Sequence, residues 1–300
     1  MPVTIHHDSL LKNLFKAFFA DLIQLAIPTL APELALERVT WLDKELFADL
    51  FAGRRAEVDL LAEVPTLRAP PPAVLIQVEI ERRYRRSMSL RMHRYYLQLQ
   101  LKHSLTVLSL VVFLQGGPPG AYLGESRHEL AGFEIHRFHY HAFGLSGCRA
   151  EAYVAREEPL AWALAALMPS ALWSRPRQKV ECLRSIAGST LDEARQALLV
   201  NVVETYLQLE AHEEDEYMSL LELEPNVKIK DMELTWADRM EAKGVARGAR
   251  QVVLALLADR FGTLSSRTVG QVEAIDDADQ LLDLSRRLLR AGSLAELGLA

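Results

Sequence analysis

Three acids, Asp59, Glu79 and Glu81, have the spacing to build a cation site. Residues 73–81 read Ala-Val-Leu-Ile-Gln-Val-Glu-Ile-Glu. A strand period of two puts Leu75, Gln77, Glu79 and Glu81 on one face and Val74, Ile76, Val78 and Ile80 on the other. Residues 57–64 alternate in the same way, with Glu57, Asp59 and Glu63 opposite Val58, Leu60 and Val64. The proline-rich stretch from Pro65 to Pro72 is short enough to join the two as a hairpin, which brings Asp59 towards Glu79 and Glu81. Converging carboxylates repel one another unless a cation lies between them, and an oxygen-only site suits Mg²⁺ or Mn²⁺. A hairpin with one solvated face also carries acids as a matter of course, so the hairpin alone leaves both readings open.

The residues that follow bear on that choice. Glu81 runs straight into Arg82-Arg83-Tyr84-Arg85-Arg86, and Arg91 and Arg94 come soon after. Met88, Met92, Tyr95, Tyr96 and Leu99 fall at i, i+4, i+7, i+8 and i+11, the spacing of a helix with one buried face. A metal-competent strand end beside an arginine-dense helix start suits a polyanion whose phosphodiester lies over the cation.

The order Gly53-Arg-Arg, Asp59, an apolar strand ending Glu79-x-Glu81, then Arg91-Met92-x-x-Tyr95 resembles the PD-(D/E)XK nuclease superfamily. The likeness is to its recombination-promoting nuclease and transposase branch in particular. The opening Asp8-Ser-Leu-Leu-Lys12-Asn-Leu-Phe resembles the N-terminal helix of that branch, and the likeness covers roughly residues 5 to 150. The resemblance implies an α/β fold with a restriction-endonuclease-like core, a mixed central sheet flanked by helices. It also implies a metal-dependent DNA endonuclease linked to recombination or transposition. In that reading Asp59 and Glu79 hold Mg²⁺ or Mn²⁺, and Glu81 takes the water-activating position. Arg82, Arg85, Arg86 and Arg91 meet DNA, and Asp8, Lys12 and Tyr95 are accessory, Tyr95 bracing the helix with Arg91.

This chain departs from the pattern at one place: the superfamily usually has Lys where Glu81 stands, and the branch often has Gln. A lysine would orient water and stabilise developing charge, whereas a carboxylate binds metal or accepts a proton. The alternative reading is therefore a catalytically degenerate nuclease-fold module that binds DNA or a partner.

Half of the 300 residues are apolar, ample for a packed core. A net charge of −6 argues against bulk, non-specific affinity for nucleic acid, so any basic surface must be local. Cys148 and Cys182 lack a zinc-type spacing and read as reduced thiols. The N-terminus has no signal-peptide pattern, and the longest apolar run, Leu105 to Leu114, is far short of the roughly 20 residues that cross a bilayer. The expectation is a cytoplasmic protein without a membrane segment.

The positioning elements follow from periodicity. Residues 8–27 read as one helix, with Leu10, Leu11, Leu14, Phe15, Phe18, Phe19, Leu22 and Ile23 on a wide apolar face, Asp8 as a cap and Pro28 as the stop. A short acidic segment spans Thr40 to Asp49, where Glu45 or Asp49 would be a further ligand. Leu105–Leu114 reads as a strand buried on both faces, and Gly132–Phe143 as a peripheral strand whose His136, His139 and His141 pack rather than bind metal. Helices are expected over 157–167, 177–187 and 191–209, the last capped by Ser189 or Thr190, with the acidic run 210–216 as a helix end or linker.

From residue 236 the texture changes. A helix carrying Val252, Val253, Leu256 and Leu257 ends at Arg260-Phe261-Gly262, and a second spans Ala278 to Leu289. The Arg-Phe-Gly tail resembles a small C-terminal helical domain of unknown function found after this nuclease branch. Two amphipathic helices are equally what a homo-oligomer would dock through. The expected domains are thus 1–155 nuclease-like, 156–235 a helical extension with an acidic linker, and 236–300 a C-terminal helical domain.

Overall fold

Alternating apolar residues with few turn signals make residues 73–83 and 106–115 the two longest apolar strands, and the sheet forms around them. The computed structural model of the chain describes residues 7–42, 45–48, 55–68, 71–223, 226–275, 277–288 and 290–299. In chain order the first elements are α1 (His7–Ala17), α2 (Phe19–Ala26), β1 (Thr40–Trp41), β2 (Glu45–Ala48), β3 (Arg55–Glu57), β4 (Leu60–Pro65) and β5 (Ala73–Arg83). Then come α3 (Met88–His103), β6 (Thr106–Gln115), β7 (Gly120–Leu130) and β8 (Phe133–Gly144). Six strands form one mixed sheet in the order β1-β4-β5-β6-β8-β7, and β2 pairs with β3 separately. The fold is α/β.

The β4–β5 hairpin is antiparallel, with Leu60 opposite Val78 and Leu61 opposite Gln77. β5 and β6 run parallel, joined by α3, and β6 is parallel to β8. Both faces of β5 are covered. On one, Leu75 packs with Val58, Leu61, Leu99 and Val107, and α3 presses Met88 and Met92 onto Val111, Phe113 and Phe138. On the other, α1 lies against β5.

Four features differ from the sequence expectation. The helix over 8–27 breaks at Phe18, whose backbone leaves the helical region at φ −118° and ψ 42°, and Phe15, Phe18 and Phe19 are all buried around the break. The first hairpin strand begins at Leu60 rather than Glu57: the chain bends at Asp59, and Val58 joins the cluster of Leu61 instead of sharing a face with Leu60. β8 is not peripheral, because β7 pairs along its outer side through an Ala131-Gly132 turn with both φ values positive. The cap of the helix after residue 190 is Asp192, whose Oδ1 accepts from Arg195 N at 2.9 Å.

After the sheet come α4 (Ala150–Val154), α5 (Pro159–Ala165), α6 (Arg175–Ala187), α7 (Glu193–Tyr206) and α8 (Ala211–Leu221). The acidic run expected as a helix end or linker forms most of the first turns of α8, with Glu210 and Glu213 closing a capping box. Where the sequence suggested boundaries near 156 and 236, the chain divides into compact units Met1–Ile229 and Lys230–Ala300. The boundary falls within α9 (Val227–Phe261), which is followed by α10 (Ser266–Glu273) and α11 (Ala278–Leu288). The second unit has its own core of Val253, Leu257, Val272, Leu281, Leu284 and Leu288. Gly262, at φ +79°, stops α9 in the left-handed conformation glycine favours. Among the described residues no helix is long and apolar enough to cross a membrane.

Candidate functional site

The hairpin register sets the site. With Leu60 opposite Val78, Asp59 lies beside Glu79, and the bend at Asp59 turns its side chain onto the neighbouring strand. Asp59 N donates to Glu79 Oε1 at 3.2 Å, and Ile80 N donates to Asp59 Oδ2 at 2.8 Å. Two flanking helices add positive charge. From α1, Lys12 Nζ lies 2.8 Å from Asp59 Oδ1. From α3, Arg91 Nη2 donates to Glu79 Oε2 at 3.0 Å and to Glu81 Oε1. Tyr95, one turn beyond, sits with its ring centre 5.9 Å from the Arg91 guanidinium.

Burial sets the electrostatics. The Glu79 side chain is only 4% exposed, and its carboxyl is pushed up from 4.5 to about 8, first by burial and then by the Asp59 charge, with Arg91 opposing. At neutral pH Glu79 therefore holds its proton most of the time, and the charge of Arg91 is matched mainly by Glu81. Burial works against the Arg91 charge, yet Glu79 and Glu81 outweigh it and hold that guanidinium above the usual arginine range. The Tyr95 phenol is raised by burial and then by Glu79.

Of the residues expected at the site, Asp59, Glu79, Glu81, Lys12, Arg91 and Tyr95 come together. Arg82, Arg85 and Arg86 do not join them: all three are exposed, at the end of β5 and in the turn before α3. The Asp8 and Glu45 side chains and all of Asp49 lie outside the described residues. The alternation that put His136 opposite His139 and His141 holds, since His136 stacks on His93 of α3 at 4.4 Å between ring centres. Sequence reasoning gave no role to Gln77, which is fully buried beneath Glu79 and accepts from Ser109 Oγ at 3.1 Å. It also missed a cavity on the opposite face of β5, because the lining comes from segments far apart in the chain.

Among the described residues, no group of three or more acids, histidines or cysteines is arranged around a single cation position. The oxygens that would face a cation are instead held by Lys12, Arg91 and two backbone amides. The donor set nonetheless fits a hard divalent cation. The Glu79 carboxyl is raised first by burial and then by the Asp59 charge, so a cation beside the pair would offset the second of these, and Asp59 with Glu79 offers oxygen ligands of the kind Mg²⁺ takes. Comparisons with protein-family models, with curated proteins and with solved structures find no match to this chain.

Proposed function

We propose that the chain is a metal-dependent DNA endonuclease, as its resemblance to the PD-(D/E)XK superfamily implies. The observation that carries this reading is the pairing of Asp59 with the buried Glu79 at the end of β5, flanked by Lys12 and followed at once by exposed arginines. Asp59 and Glu79 would hold Mg²⁺ or Mn²⁺, which when bound supplies an activated water and neutralises charge on the phosphodiester. The amides of Asp59 and Ile80 lock both carboxylates in place, so the ligands are oriented before any substrate arrives. Lys12, which reaches Asp59 from α1, would bring the ammonium that Glu81 cannot. Glu81 accepts a bond from Arg91 and would take the proton from water. Arg82, Arg85 and Arg86 would meet phosphates on the open side.

The test is nicking of supercoiled plasmid by the purified protein with and without Mg²⁺. Nicking that requires the metal and disappears in Asp59→Ala and Glu79→Ala is expected. Activity that survives Asp59→Ala, or none under any divalent metal, would remove the assignment.

One observation favours a second reading, a module that keeps the fold and binds DNA without cutting it. Arg91 bridges Glu79 and Glu81, and so brings positive charge where a cation would otherwise bring it. Retention of DNA with no Mg²⁺ binding by calorimetry would select that module over the nuclease.

A further inference from the structure

Consecutive residues of a strand point to opposite faces, so the end of β5 serves two places at once. Glu79 and Glu81 face α3 and the carboxylate site. Ile80 and Arg82 face the other way, into a cavity of about 710 Å³ bounded by the ends of β5 and β6, by α1 and by the α5–α6 loop. Its floor is apolar, with Leu11 and Met168 buried. Trp173 and Tyr206 supply aromatic walls, while Arg82, Gln115 and Arg175 form an exposed polar rim. None of its lining residues is acidic, in a protein whose acids outnumber its bases.

The cavity is preformed. Gln178 Nε2 donates to the carbonyls of Ala165 and Met168 at 2.8 and 2.9 Å, which fixes one wall. Glu151 accepts from Ser170 Oγ and from the amides of Ala171 and Leu172, and Ser170 Oγ accepts from Trp173 N at 2.8 Å, so the loop carrying Trp173 is tied down. Arg175 is anchored by Glu213 and the Gln208 carbonyl, whereas Arg82 makes no ion pair among the described residues.

An apolar floor, aromatic walls and a rim on which Arg175 is paired with Glu213 while Arg82 stands without an ion pair among the described residues select a planar aromatic body bearing an anionic group. We propose that this cavity is a nucleotide-binding pocket, and that the nucleotide it receives is an unstacked one of the strand whose backbone reaches the carboxylates across β5. The ligand class stands on the cavity alone. Its source in a DNA strand rests on the nuclease reading.

The experiment uses the full chain in EDTA, so that no cleavage intervenes. Tryptophan fluorescence is followed while a nucleoside monophosphate, inorganic phosphate alone, or a short single-stranded oligonucleotide is added; Trp173 is one of four tryptophans. The monophosphate and the oligonucleotide should quench, and phosphate alone should not, because stacking on an aromatic wall supplies the affinity. Gln115→Glu places an acid on the exposed rim without changing shape, and should weaken both ligands about tenfold or more while leaving the unfolding temperature unchanged. Leu167→Glu, on the half-buried wall, should weaken both ligands as well. Absence of quenching, or quenching indifferent to both acidic substitutions, overturns the pocket. If only the monophosphate responds to them, the pocket stands and its ligand is a free nucleotide rather than a strand. Loss of the nuclease reading would show separately, as missing Mg²⁺-dependent nicking, and would leave these titrations untouched.

Discussion

Replacing Glu79 by glutamine should change how stability depends on pH, and by an amount the site itself sets. The wild-type carboxyl titrates near 8 in the folded chain against an ordinary value of 4.5. Between those two pH values the folded state keeps a proton that the unfolded chain has lost, so stability falls as pH rises through that window. Each pH unit costs about 1.4 kcal/mol, on the order of 5 kcal/mol across the window. With the side chain only 4% exposed, solvent screening takes little away. Glutamine mimics the protonated acid and still accepts from Asp59 N, but its amide meets the Arg91 donor, at a cost of about 1–3 kcal/mol.

The two stability curves should therefore cross. Glu79→Gln is less stable than wild type near pH 4.5 and more stable by a few kcal/mol near pH 8, as an order of magnitude. Urea unfolding in EDTA across this range measures it. Subtracting one protein from the other removes contributions common to both, such as the raised Asp21 carboxyl and the Glu151 carboxyl lowered to about 2. Parallel curves would refute the claim that Glu79 is buried against Asp59. In the nuclease reading, Mg²⁺ at pH 8 should in addition stabilise the wild type and not the variant.

Further outcomes follow from the nuclease reading taken with this geometry. Arg91→Ala frees Glu79 and Glu81 and should tighten Mg²⁺ about tenfold in calorimetry, the size of one charged hydrogen bond. Glu81→Lys sets a second cation against Arg91; plasmid nicking should drop about tenfold if the site is adapted to glutamate, and rise or stay absent if the chain is only a binding module. Arg85→Ala with Arg86→Ala should weaken DNA binding and flatten the slope of log K against log salt by roughly two, one for each phosphate no longer neutralised. Gly144→Ala would put its Cβ 2.1 Å from the Pro118 carbonyl oxygen, and should cost about 3 kcal/mol in thermal unfolding while leaving metal binding intact.

The β4–β5 hairpin was legible because two alternating runs and a short loop leave one register that buries both apolar faces. The approach of Asp59 to Glu79 followed from that register. Lys12 and Arg91 were harder to place, since each reaches the acids only because α1 and α3 lie on opposite faces of β5, a tertiary fact no local period encodes. β7 went unread for another reason: Gly120, Gly124 and a run of charged residues give weak strand signals, and most of its side chains stay exposed. Pairing with β8 holds it in place, not its own composition. The cavity is the extreme case, with walls drawn from residues as distant as Leu11 and Leu207.

A chain with net charge −6 can still present a local attraction for a polyanion if its positive charges are unevenly neutralised. Arg127, Arg137, Arg156, Arg175, Arg177 and Arg184 are each matched by a nearby acid. Arg82, Arg83, Arg85 and Arg86 make no ion pair among the described residues and stand exposed within five positions of one another. That unneutralised segment joins β5 to α3, so it lies between the carboxylates on one face and the mouth of the cavity on the other. A phosphate backbone drawn to it would be held at the one stretch of strand from which both can be reached, whereas the same four charges elsewhere on the surface would bind the polymer without presenting it to either.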